Sequence, residues 1–420
     1  MTTRYWKGTA SAVAQVSTAT VTAYDAATTY TITVGAGNNT AAVSAPGTTD
    51  AAGTAAALRA AWNASSHPYC TGVTAGGTGA DVTLTADVAG VPFTVASSKT
   101  GGTGTFGAFT TTTASAGPND WSSARNWSDN TVPVSADVVA FENNAVPVCW
   151  GLDQSAVDLA ELRIDQSYTG RIGLDRTRFA TSADAATTVA TAPEYREDYL
   201  IIGWDDAHIG KAAGVAVGAG STRLKLSNDK SGASTTTVHG SASSASESGL
   251  PVVRLKAAHA SADVNVRSAP GGVGIAADEV GETSTVGSVT VTDASLGSKV
   301  TIGAGTTLTS FSQLGGQNTI HGAAATVTLV EVAGGTLEIR GDFTITTLDV
   351  YNGMVADNHV KAGGNSVTTA NLRGGTLDLQ QISESRTYAT LNYYGGVLRA
   401  SGAITLSMLD LENAYTLTKT

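Results

Sequence analysis

The sequence predicts a mainly β protein: a small N-terminal α+β domain followed by a parallel β-helix, or solenoid, with coils of roughly 18–22 residues. Three observations lead there. Between residues 328 and 411 one pattern recurs: two apolar residues separated by a spacer, then a two-residue corner, then a third apolar position. The corners begin at Gly315, Gly334, Asn352, Gly374, Gly395 and Asn413, so sequence number advances by 19, 18, 22, 21 and 18 from corner to corner. The chain of 420 residues is rich in small side chains, with 48 Gly, only 14% charged and 6% aromatic residues, a composition that suits solenoids and sandwiches.

A period of about 20 residues is too short for most helical repeats and fits one coil of a parallel β-helix. Within a coil the alternation has period two, as strands require. After Gly335 the apolar positions are Leu337 and Ile339, Phe343 and Ile345, then Leu348 and Val350. After Gly396 the same offsets hold Leu398 and Ala400, Ile404 and Leu406, then Leu409 and Leu411. Three short strands per coil are therefore expected. Residues 380–390 lack a clean second strand, which predicts a bulge or small loop.

Taken in order, residues 1–113 form the α+β domain, with strands over 20–24 and 29–34. Asp50 caps a helix over 51–63, whose apolar stripe is Leu58, Ala61 and Trp62. Strands over 82–86 and 92–95 complete a ββαββ order, and residues 100–117 read as a linker or two short exposed strands. Residues 114–288 form a capping segment and an irregular solenoid with inserted loops. Its strands are expected at 199–204, 223–226, 252–256 and 264–266, with an inserted loop at 175–198 and a surface hairpin within 227–249. Residues 289–420 form the regular solenoid, its first corner at Leu296-Gly297.

Two stretches resemble known families. The strand pair "TYTITV", the helix "AAGTAAALRAAWNAS" and "VTLTADVAGVPFTV", within residues 20–96, resemble a module of bacteriophage virion proteins. That resemblance implies a structural role in the particle. Trp121, Asn126-Trp127, Pro133 and the run Asp137 to Phe141 resemble the opening of autotransporter-like β-solenoid surface proteins. Trp121 and Trp127 are read as a lid on the open end of the core, which a repeat array needs. The alternative is a stacking platform for sugars.

Reactive chemistry is sparse. Asp205-Asp206-x-His208 is the densest titratable group, with Glu194, Glu197 and Asp198 as candidate neighbours. Paired carboxylates serve glycoside hydrolysis, but two aspartates after a strand also read as a turn. The six histidines, His67, His208, His239, His259, His321 and His359, show no metal spacing. The glycine-rich stretch 214–220 lacks the strand-to-helix setting of a phosphate loop. Arg340-Gly341-Asp342 reads as turn chemistry, and Arg254 and Lys256 as a polar outer face or an inter-subunit rim. Cys70 and Cys149 read as buried free thiols. No catalytic, cofactor-binding or metal residue is assigned, and no cofactor is expected.

The net charge of −11 and the absence of a Lys/Arg cluster speak against a nucleic-acid partner. The first residues lack the apolar core of a signal peptide, and no run approaches the ~20 apolar residues of a membrane span. The expectation is a non-enzymatic phage virion protein, assembled in the host cytoplasm. It would form a homotrimer, dock on capsid or tail through residues 1–113, and project the solenoid as a decoration, fibre or spike. A host-surface glycan is a further candidate partner. The alternatives are a polysaccharide-degrading tailspike and a bacterial surface adhesin.

Overall fold

The computed structural model describes residues 1–36, 39–179, 194–211, 223–241, 251–277, 282–294, 297–321, 326–341, 343–358, 366–380, 386–400, 404–406 and 409–411. One parallel sheet runs from Thr3–Tyr5 through Val138–Phe141 and Asp153–Asp165 to Leu409–Leu411. In the regular part each strand pairs with the next but one, as a winding chain with two strands per coil requires. Val264, Val289, Phe311, Val330, Leu348, Ala370, Leu391 and Leu409 are register partners in turn. From Phe311 onward their spacing equals that of the corners read from the sequence. On the wall after the corner, Leu337, Val355, Leu377 and Leu398 form a second inward column.

The three expected strands are separate in the last coil, Val397–Ala400, Ile404–Leu406 and Leu409–Leu411, but in the coils before it the second and third are joined as one. Ile345 to Val350 is one strand, in which Ile345, Leu348 and Val350 point inward. The three-residue interval between Ile345 and Leu348 breaks the alternation and bends the wall. Val327 to Val330 and Val367 to Ala370 repeat that interval. The corners turn on left-handed glycines: φ is +88° at Gly316, +72° at Gly335, +78° at Gly353, +68° at Gly375 and +98° at Gly396. The bulge expected within 380–390 and the corners at Leu296 and Asn413 involve undescribed residues.

The ladder also continues backwards without a break in kind. Val139, Leu162, Ala207, Thr236 and Val264 extend the same column toward the N-terminus. Residues 242–249 are undescribed; for the described part, 227–241, this corrects the surface reading, because Ser234–Val238 is a solenoid strand. Its inward Thr236 disguised it. That threonine is tolerated because its hydroxyl accepts the buried Trp204 indole N–H at 3.1 Å. Residues 174–179 and 194–198 do leave the ladder, pairing with each other antiparallel.

The first residues of the chain belong to the solenoid. Thr3–Tyr5 pairs in parallel with Val138–Phe141, and Trp6 packs edge-on against Trp127 at 5.1 Å between ring centres. Trp121 lies 4.7 Å from Trp127, and Phe141 continues the cluster to Tyr168 at 5.1 Å. Trp121 and Trp127 are 0% exposed and Trp6 is 3% exposed, so they seal the core and offer no face to a sugar. The unit expected over 1–113 is thus an insertion in the first coil. Val13 and Ala116 bridge antiparallel where the chain leaves and returns. The buried Asn126 side chain holds both linkers, accepting from the Ala10 N–H at 2.7 Å and donating to the Gly117 carbonyl at 2.8 Å.

Within the insert, Ala51–Asn63 is the helix expected, capped by Asp50, which accepts the Gly53 N–H at 2.6 Å. Its buried Leu58 and Trp62 face a core shared with Tyr30, Ile32, Val82 and Leu84. Two sheets flank it. Asn39–Pro46, Thr29–Ala36 and Val95–Thr100 form one, and a five-stranded sheet centred on Val16–Ala23 and Asp81–Ala86 forms the other. The last main strand begins three residues later than expected: Pro92 has no N–H to give a ladder, and the Gln15 side chain takes the N–H and the carbonyl of Phe93. The 100–117 segment carries two short strands, Thr105–Phe106 and Thr110–Thr113.

A buried ion pair locks the lid. Arg4 Nε donates to Asp137 Oδ2 at 2.5 Å, and Arg4 Nη1 also meets Asp129. Burial works to raise the Asp137 carboxyl, but Arg4 and the N–H groups of Val134 and Thr2 hold it below the ordinary value. Its stabilising contribution is therefore present above the unfolded carboxyl's titration range and is lost as pH falls through the depressed one. Replacing Arg4 by Met leaves the buried carboxylate without its cation, at a cost of about 3–5 kcal/mol. The expected result is acid unfolding at a higher pH than wild type, read from tryptophan fluorescence of the lid. An unchanged acid midpoint contradicts the lock.

Candidate functional site

The outer face of the solenoid is a set of polar columns. His208, Thr237, Asn265, Thr290, Ser312, Glu331, Asp349, Asn371 and Asn392 are register partners in turn, next to an inward column. They bond along the axis: Asn371 donates to Asp349 at 2.6 Å and Asn392 to Asn371 at 2.8 Å. One column over, Ser288 donates to Asp263 at 2.6 Å.

The densest titratable group lies at the N-terminal end of this face. Asp205 and Asp206 fall inside the strand Leu200–Lys211, which corrects their reading as turn residues. They engage different partners. Asp205 pairs with Lys230, and Asp206 Oδ2 accepts from His208 Nε2 at 3.0 Å. His208 Nδ1 in turn lies 3.1 Å from His239 Nε2. The result is a carboxylate–imidazole–imidazole line across successive coils. A small, mainly apolar void of about 10 Å³ is bordered by Ile164, Ile209, Gly210, Leu224, Gly240 and Val253.

The other residues singled out by sequence have separate settings. Glu194, Glu197 and Asp198 lie on the paired strand Glu194–Asp198, and their side chains are undescribed. His67 caps a short helix, His259 accepts the Ser261 N–H at 3.1 Å, and His359 is undescribed. Burial and then Arg340 hold the His321 imidazolium below its ordinary pKa. Arg340 pairs with Glu338 at 2.7 Å, while Asp342 and the stretch 214–220 are undescribed. Cys70 and Cys149 are buried and not joined in a disulfide.

Arg254 points away from the core, as its register implies, yet is only 1% exposed. Its Nε donates to the Pro251 carbonyl at 3.2 Å. Its neighbour Lys225 is equally covered and donates to the Leu174 carbonyl at 3.0 Å. Lys256 bonds Glu282 at 2.6 Å and lies over the Tyr199 ring. The outer face is therefore covered here by other parts of the chain, which strand alternation by itself does not reveal.

Sequence reasoning missed two contacts, His208 with His239 and Trp6 with Trp127. The first needed the coil length between Asp205 and His239, which no Gly-Gly corner marks. The second needed the pairing of Arg4 with Val139.

These features define a capped β-solenoid with an α+β module inserted in its first coil. No family model, no curated protein and no solved structure matches this chain. No helix among the described residues is long and apolar enough to cross a membrane.

Proposed function

We propose that this chain is a non-enzymatic structural protein of a bacteriophage virion, a decoration, fibre or spike whose α+β module docks on capsid or tail. One observation carries the reading beyond the resemblance of the module: the insert leaves and re-enters the lid through paired linkers that Asn126 clamps. A body gripped through the module is thereby fastened to the sealed end of a stiff rod. At about 4.8 Å per coil, the rod projects some tens of ångströms from its attachment. Its Thr, Ser and Asn columns suit the wet, close contacts of a side-by-side homotrimer. In this reading the protein is made in the host cytoplasm and ends in the particle.

Immunogold labelling of phage particles released from the host that carries the gene tests this directly. Gold on the particles, lost when residues 14–115 are deleted, is the expected result. Label confined to cell envelopes favours an adhesin and overturns the proposal. Light scattering of the purified chain at three times 42.2 kDa supports the trimer, and a value near 42.2 kDa removes it.

A further inference from the structure

The geometry points to a metal site on the outer face: we propose that His208 Nδ1 and His239 Nε2 chelate a divalent ion of the imidazole-preferring kind, Zn²⁺ or Cu²⁺, pinning one coil to the next. The inference does not depend on the virion reading. Asp206 Oδ2 accepts the His208 Nε2–H at 3.0 Å, which fixes the tautomer and leaves the lone pair on Nδ1. That atom faces His239 Nε2 at 3.1 Å. Two imidazole nitrogens, each about 2.0–2.1 Å from one tetrahedral ion, lie about 3.3 Å apart. The rings need to separate by only a few tenths of an ångström to admit the ion. A histidine that binds metal through one nitrogen commonly gives its other N–H to a carboxylate, the place Asp206 occupies.

Charges of both signs surround the pair. Glu161 stands one coil earlier beside Asp206. Arg163, beside His208, is an opposing charge: its Nε makes no hydrogen bond among the described residues and lies 3.9 Å from Asp165, whereas Lys230 is engaged by Asp205. Thr235 and Thr237, one coil later, are uncharged. No group of three or more His, Cys, Asp or Glu among the described residues could hold an ion. The two ligands proposed among the described residues are accordingly His208 and His239. The side chains of His208 and Asp206 are 18% and 45% exposed, so water reaches the site.

The test uses the full chain with ZnCl₂ or CuCl₂ alone as probe, in a non-chelating buffer near pH 7.5. Saturable Zn²⁺ binding by calorimetry should raise Tm, and EDTA should reverse the shift. His208→Gln and His239→Gln should each weaken binding at least about tenfold, and Asp206→Asn by about 10–100-fold. With Cu²⁺, paramagnetic resonance should show two coupled nitrogens in wild type and one in either Gln variant. All three side chains lie on the outer face, and circular dichroism verifies each fold. Should a Gln variant fail to fold, Asp206→Asn carries the same reading. The proposal is overturned by absence of saturable binding, or by unchanged affinity and Cu²⁺ spectrum in the folded variants.

Discussion

Deleting residues 1–113 unfolds the solenoid, whereas deleting residues 14–115 and joining Val13 to Ala116 through two glycines leaves it folded. The two deletions differ chiefly in the first thirteen residues. Those residues carry the strand Thr3–Tyr5, the buried Trp6 and Arg4, the partner of Asp137. Losing a buried tryptophan costs about 3–5 kcal/mol. Breaking a buried ion pair costs about as much. Together these rival the about 5–15 kcal/mol that holds a typical domain. The deletion of 1–113 also bares Val138–Phe141 as a sheet edge, four buried residues that invite association with other chains. The internal deletion keeps all of this, and the mutual bridge of Val13 and Ala116 places the new ends side by side. Thermal melts by circular dichroism, with light scattering for aggregation, separate the outcomes. A 1–113 deletion that melts like the full chain removes the assignment of the first residues to the lid.

Gly335→Val lowers stability by about 3 kcal/mol or more, while Thr336→Val in the same coil shifts it by less than about 0.5 kcal/mol. Gly335 sits at φ +72°, where an L side chain costs about 1–2 kcal/mol and a β-branched one is a genuine outlier. A Cβ there would also lie 2.5 Å from the Gly316 carbonyl oxygen of the preceding coil. The stacked backbone must move apart to admit it. Thr336 faces outward and keeps its register partners Gln317 and Met354. Urea denaturation of both variants gives the comparison. Equal midpoints would show that the corners tolerate side chains and that the glycine column does not set the coil spacing.

The regular coils were legible because their signals are local. Period-two alternation marks the walls, and glycine pairs mark the corners that need positive φ. The helix over 51–63 was legible for the same reason, through Asp50 and the stripe Leu58, Trp62. The strand Ser234–Val238 was not, because a threonine stands at a core position and is satisfied by Trp204, in the preceding coil.

The amino-acid order by itself determined the winding period, the corners from Gly315 to Gly395 and the inward columns from Phe311 onward. It also determined the helix of the insert. Each follows from how neighbouring residues along the chain share φ, ψ and burial. Tertiary structure alone decided that Arg4 pairs beside Val139, that Trp6 joins Trp121 and Trp127 in closing one end, and that His208 meets His239. Parallel pairing joins segments whose separation depends on everything folded between them, and no local pattern encodes that distance.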